Sequence, residues 1–227
     1  MHKFTSLLRW MLALAVASVA AAALAQPVQD RDYKLISPPQ KPADSKKIEV
    51  LEFFSYACPH CAEFEPALQD WVKRKPKDVE FRSVPMVFRE QWKPLAKLYY
   101  TLEAMGEVDR LHMKVFHAIH KENQQLFDDA AVTKWAASQG LDTKKFGEIY
   151  GSFGMDAKLQ RAASMGRAYG VMFTPSMAVN GKYYTGPSMT ASPGGVDYLR
   201  FLQVLDALIA MERGKPAATP AGGKKKS

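Results

Sequence analysis

Cys58-Pro59-His60-Cys61 holds the only two cysteines of this 227-residue chain, three positions apart and directly behind an apolar run. If Cys58 opens a helix, positions i and i+3 lie on one face about a turn apart, within reach of a disulfide without backbone movement. Such a bridge closes a very short loop. By the chain-entropy argument it constrains the unfolded state little and makes a poor structural staple. Redox chemistry or a metal remains.

The first 25 residues decide how the pair is read. Lys3 and Arg9 mark a charged start, Trp10 to Ala20 is an Ala/Leu/Val run, and Ala23-Leu24-Ala25 offers small residues where a signal peptidase reads. The expectation is a signal peptide cleaved before Gln26. A retained membrane anchor is the alternative, but the run is short for the ~20 residues a span needs. Export places the protein in the periplasm, where disulfides persist and a lone CxxC pair belongs to redox traffic. The remaining chain has the composition of a globular protein with a real core: 47% of all residues are hydrophobic and 24% charged. The net charge of +8 lies mostly in the ends, because without residues 1–25 and Lys215, Lys224, Lys225 and Lys226 about +2 remains. No basic face interleaved with aromatics appears, so no nucleic-acid partner is expected.

Gln26 to Lys47 reads as an irregular, Pro-rich lead-in. Ile48 to Phe54 has the β-branched and aromatic density of a buried strand, with Val50, Glu52 and Phe54 on one face. Ala62, Phe64, Ala67, Leu68 and Trp71 follow at helical spacing, with a kink expected at Pro66. Val79 to Phe88 alternates as a second strand, with Pro85 near its end. From Pro94 to about Gly170 the pattern is helical, broken at Gly106, Asn123 to Asp129, Gly140 and Gly151 to Gly154, with Asp128 and Asp142 as N-caps. Strands return at Ser176 to Val179 and Lys182 to Thr185, joined by the hairpin signal Asn180-Gly181. A last amphipathic helix over Gly195 to Met211 carries Leu199, Leu202, Leu205 and Leu208, and 214–227 is a disordered basic tail. The order predicts an α/β fold with a mixed sheet of four or slightly more strands, and a helical block that docks without interrupting either half.

At a helix N-terminus the Cys58 sulfur faces unpaired N–H groups and the positive end of the dipole. His60 can donate a hydrogen bond to that sulfur, and Pro59 is preorganised for the first helical position. The helix terminus and His60 favour the thiolate, a good leaving group, so the disulfide should act as an oxidant. A substrate thiolate attacks Cys58 and releases Cys61; a second substrate cysteine then expels Cys58. Cys61, a turn into the helix, is expected to be the more buried partner. Glu52 beneath the helix start can exchange a proton with Cys61 through a water, burial raising its pKa; the simpler reading is a strand carboxylate paired with a lysine. Thr174-Pro175 enters the hairpin where its first strand begins. There an X-Pro bond can be cis, and backbone groups are left free to pair with an extended peptide.

Leu51-Glu52-Phe53-Phe54-Ser55 before CPHC, Thr174-Pro175 before an Asn-Gly hairpin, the helical block and the signal peptide together resemble the DsbA family of bacterial thiol:disulfide interchange proteins, over about Tyr33 to Met211. The resemblance implies a thioredoxin-like fold with an inserted helical domain: 26–91 and 171–213 form the thioredoxin-like part and 92–170 the insert. It implies Cys58 as nucleophile, Cys61 as its partner, Glu52 as the buried acid and Pro175 as a cis-proline facing the disulfide. Thr174, Pro175, Pro59 and His60 are the substrate-contacting candidates. The resemblance further implies unfolded or reduced exported proteins as clients, re-oxidation by a membrane-embedded, quinone-linked DsbB-type protein, and no cofactor beyond the redox-active disulfide. An acidic nucleophile and an oxidising couple are properties for which that family is itself the type example. Two positions depart from the pattern: Thr174 replaces the Val of the best-known members, and Ser83 stands where a lysine near the buried acid is often found, with Arg82 on the opposite face.

Three rivals follow from the same residues. Cys58, Cys61 and His60 are soft metal ligands, and His117 and His120 share a helical face, although a solvent-facing pair is the simpler account of those two. Ala62 after Cys61 excludes the CxxCH haem signature, and no second CxxC completes a zinc site, so no metal is expected. A disulfide isomerase or reductase on the same fold is the second; isomerases usually dimerise through an added domain and no such region is visible, so a monomeric oxidase is the expectation. A peptide-binding chaperone would keep its activity without Cys58.

Overall fold

A computed structural model describes residues 26–191 and 194–214. The signal peptide expected over 1–25 and almost all of the expected tail lie outside the described residues.

Five strands form one mixed sheet in the order β1-β5-β4-β2-β3. They are β1 (Lys34–Leu35), β2 (Ile48–Phe54), β3 (Val79–Pro85), β4 (Ser176–Val179) and β5 (Tyr183–Thr185). Strand β2 lies between parallel β3 and antiparallel β4. It is therefore covered on both faces, which explains its nearly unbroken apolar run. Val50 packs with Phe64, Trp71 and Phe201 on one side, and Leu51 and Phe53 pack with Met86, Ala162 and Tyr169 on the other. The register sets Glu52 opposite Ser83 of β3 and Met177 of β4.

Parallel strands need a crossover, and α1 (Pro59–Arg74) supplies it from β2 to β3. The helix continues through Pro66, where the sequence predicts a kink, and buries Cys61, Phe64, Glu65, Leu68 and Trp71 along one face. Between β3 and β4 run α2 (Lys93–Met105), α3 (Val108–His120), α4 (Asp129–Ser138), α5 (Thr143–Tyr150) and α6 (Phe153–Ala168). The breaks fall where the sequence places them. Gly106 and Gly140 adopt φ of 74° and 76°, and the carboxylates of Asp128 and Asp142 accept from Ala131 N and Lys145 N as N-caps. Leu98, Leu102, Leu111, Val115, Phe116, Trp135 and Phe146 of these helices share a core with Phe54, Tyr56, Cys58 and Cys61, so the helical block packs directly against the cysteine segment.

The Asn180-Gly181 turn has φ of 50° and 65°, the left-handed pair that a tight hairpin requires. A Cβ on Gly181 would sit 1.9 Å from the Gln40 carbonyl oxygen, so only glycine fits. After it come α7 (Pro187–Thr190) and α8 (Tyr198–Arg213), the latter capped by Asp197.

Three expectations need correction. The lead-in is not wholly irregular, because β1 pairs with Tyr183 and Tyr184 of β5; two residues are too few to show alternation. Strand β3 stops at Pro85 instead of reaching Phe88, since Pro85 has no N–H to extend a ladder. Leu199 is 70% exposed, because the buried face of α8 is formed by Phe201, Leu202, Val204, Leu205, Leu208 and Ile209.

Candidate active site

Cys58 is the N-cap residue of α1, with φ −90° and ψ 116°, and Pro59 takes the first helical position, where its missing N–H costs nothing. The turn is fixed from behind by Cys58 N donating to Ser55 O at 3.0 Å and Ala57 N donating to Ser55 Oγ at 3.2 Å. Both thiols are free; Cys58 is 9% exposed and Cys61 fully buried. Hydrogen bonding from the Cys61 thiol does most to lower the pKa of Cys58, to about 5. Burial opposes the shift, while the Thr174 side chain and the N–H groups of Cys61 and His60 add to it. The same contact works in reverse on Cys61. Burial first, then its bond to Cys58 and the nearby charges of Cys58 and Glu52, push the Cys61 thiol well above its ordinary value.

Thr174 and Pro175 come to the cysteines from the far end of the chain. The Thr174–Pro175 peptide is cis, Pro175 is buried, and β4 begins at the next residue beside Phe53 of β2. This brings the Thr174 carbonyl to 3.2 Å from Cys58 Sγ, where it accepts from the thiol. Thr174 therefore meets both protonation states, its carbonyl receiving the thiol and its hydroxyl favouring the thiolate. Met172, two residues earlier, is 85% exposed.

His60 differs from expectation. Its ring is exposed, with Nδ1 3.1 Å from Glu63 Oε2, and it makes no bond to the sulfur. Glu63 in turn accepts from the Tyr198 hydroxyl at 3.0 Å, and that hydroxyl also lies 3.2 Å from the His60 carbonyl. It is the backbone N–H of His60, not its imidazole, that serves Cys58.

Glu52 is fully buried, and its Oε2 accepts from Ser83 Oγ at 2.7 Å, as the β2–β3 register dictates. A serine thus fills the place of the lysine considered from sequence. Arg82 is paired with Glu49, away from Glu52. Burial first and the negative charge of Glu65 second hold the Glu52 carboxyl well above the usual range, against the Ser83 bond. Its ionisation is thus opposed, as is that of the neighbouring Cys61. The site therefore combines an acidic sulfur near the surface, a neutral sulfur beneath it and a buried carboxylic acid.

His117 and His120 do not converge: His117 pairs with Glu122 at 3.0 Å, and His120 Nε2 lies 2.8 Å from the Tyr56 carbonyl. Tyr56, Glu65 and His112, all buried near the cysteines, were missed from sequence. Glu65 could have been found, since it follows Cys61 by four residues on the buried face of α1. For His112 no local signal exists.

Known proteins share this arrangement. Residues 49–205 match the family described as DSBA-like thioredoxin domain. The thiol:disulfide interchange protein DsbA of Bordetella parapertussis is 45% identical over 204 residues, which span 88% of this chain and 95% of that protein. DsbA of Burkholderia cepacia is 39% identical, over 89% and 96%. The crystal structure of Pseudomonas aeruginosa DsbA superposes with a TM-score of 0.76 at 36% identity, over 82% of this chain and 94% of that one. The DsbA oxidoreductase of Xylella fastidiosa gives 0.75 at 30%, over 84% and 100%. The sheet with its helices is thus the thioredoxin-like fold of these proteins, and the chain belongs to the family of DSBA-like thioredoxin domains.

Proposed function

We propose that this thiol:disulfide oxidoreductase works as a periplasmic dithiol oxidase, donating its Cys58–Cys61 disulfide to reduced, newly exported proteins. The observation that carries this reading is the contrast between a Cys58 sulfur lowered to about 5 and a buried Cys61 raised well above its ordinary value. A couple whose reduced form contains a stabilised thiolate favours reduction of its own disulfide, so electrons flow from the client to the protein.

A client thiolate attacks Cys58 Sγ, the Cys58–Cys61 bond breaks, and a mixed disulfide forms. Cys61 leaves as a thiolate in surroundings that oppose its charge; Glu52 supplies its proton, through a bridging water. A second client thiolate attacks the client sulfur, a client disulfide forms, and Cys58 departs as a thiolate. Two electrons have then moved from the client dithiol to the protein. Thr174, Pro175, Pro59 and the His60 backbone hold the client segment against Cys58. A membrane-embedded, quinone-linked DsbB-type protein takes the electrons on, and the enzyme acts as a monomer without a further cofactor.

Equilibration of the Cys58–Cys61 couple with glutathione buffers, read by quenched alkylation, tests the direction. A strongly oxidising couple is expected. A potential near that of thioredoxin, about −270 mV, would point to a reductase instead.

A further inference from the structure

The exchange steps leave a buried polar layer under the catalytic helix unused. Glu65 lies one turn beyond Cys61 on the same face of α1, and both are fully buried. Glu65 Oε1 accepts from Gln69 Nε2 at 2.6 Å and lies 3.2 Å from His112 Nε2 of α3, while His112 Nδ1 lies 2.7 Å from the Tyr56 hydroxyl. The imidazole is buried among the rings of Phe54, Tyr56, Tyr99 and Phe116, with centroids 5.1 to 5.9 Å away. With the Tyr56 O–H donating to Nδ1, Nε2–H is left to donate to Glu65. Two N–H donors then converge on Glu65 Oε1. Glu65 Oε2 and Glu52 Oε1 are both buried without a protein partner.

We propose that His112 is a positioning residue for the exchange reaction: by donating to Glu65 it maintains a negative charge that acts on Glu52 and keeps on Glu52 the proton that the departing Cys61 requires. The helical block would then take part in the chemistry through a single ring nitrogen. Every titratable neighbour bears on this balance. Glu65 and Cys61 come from α1, Glu52 from β2, Tyr56 from the turn between β2 and α1 and Tyr99 from α2; Arg82 of β3, Glu103 of α2 and Asp109 of α3 line the cavity of about 390 Å³ that His112 and Ser83 also border. Of these, Glu65 is the carboxyl that His112 touches.

The inference rests on Glu52 as the proton donor, and one experiment separates the two claims. Reduction of the oxidised protein by dithiothreitol is followed by quenched alkylation from pH 5 to 9 and corrected for the thiolate fraction of the reagent. In the unsubstituted protein the corrected rate should fall at high pH as Glu52 loses its proton. Glu52→Gln should abolish that fall; if the fall persists, the reading of Glu52 fails and this inference with it. With Glu52 intact, His112→Leu should move the fall to lower pH by about one unit. His112→Gln, which retains an N–H donor, should restore it. Glu65→Gln removes the charge without touching the histidine and should reproduce the His112→Leu shift, which keeps the test decisive should the leucine variant fold poorly. In the Glu52→Gln background, His112→Leu should leave the rate unchanged. An unmoved fall in both His112→Leu and Glu65→Gln, or an equal slowing by His112→Leu with and without Glu52, would reduce His112 to a packing residue.

Discussion

The outer and inner ends of the first turn of α1 place the same functional group in opposite settings. At the outer end, Cys58 meets a partner thiol, backbone N–H groups and Thr174, all of which can donate toward a developing charge. At the inner end, Cys61 meets apolar rings and the Glu52 carboxyl, both of which penalise charge on the sulfur. Three residues of separation are enough because the boundary between solvent and core runs across the helix terminus. On the proposed mechanism an asymmetric pair gives the exchange reaction its order: the outer sulfur is attacked and the inner one leaves. Replacing the inner sulfur therefore has the largest expected effect. Cys61→Ser should halt turnover and accumulate the mixed disulfide, visible as a covalent adduct on a non-reducing gel, whereas Cys58→Ser should form no adduct. An adduct through Cys61 in the Cys58→Ser protein would erase the distinction between the two ends.

Removing the buried acid attacks the inner setting alone. Glu52→Gln should slow reduction of the disulfide by about 10²-fold near neutral pH, while the Cys58 titration, read by thiolate absorbance at 240 nm, stays close to about 5. A comparable change in the Cys58 midpoint would mean that the two ends are not independent. The outer setting predicts a pH signature. Cys58 is lowered in the folded state from 9.0 to about 5, so its contribution to stability is complete above pH 9 and lost as the pH falls through 5. The reduced protein should gain on the order of 2–3 kcal/mol over the oxidised one between pH 5 and 7, measured by denaturant unfolding of both forms. Cys61, raised, stays protonated through this range and contributes nothing to the slope.

Smaller effects refine the outer end. Thr174→Val removes the hydroxyl but keeps the carbonyl, and should raise the Cys58 midpoint by up to about one unit, making the couple more reducing. Tyr198→Phe cuts the Glu63 and His60 contacts at a partly exposed position, and should change stability by no more than about 0.5 kcal/mol.

The sequence made the catalytic turn legible because its determinants are local: strand, N-cap cysteine, Pro59 and helix follow within a few residues. The hairpin was legible for the same reason, since Asn180-Gly181 must adopt positive φ. Glu52 was readable as an acid in an apolar strand, but its partner was not, because Ser83 reaches it only through the β2–β3 register. The His60 ring pairs with Glu63, a carboxylate that the Tyr198 hydroxyl, far along the chain, also holds. His112 stands in a helix with ordinary amphipathic spacing, and its meeting with Glu65 follows from how α3 packs on α1. Leu199 shows the complementary error: apolar spacing marks a stripe but not where its edge falls.

Phe54, Tyr56, Cys58 and Cys61 belong to the core of the helical block as much as to the sheet that carries them. The catalytic turn and that block should therefore form one cooperative unit, whose amides exchange with solvent at a common opening free energy. Slowly exchanging amides in α2 and α3 would report the redox state of a bond that lies in neither helix. On the proposed function, a client would meet the exposed Met172 segment while the aromatic packing behind the sulfurs keeps the reactive turn in place.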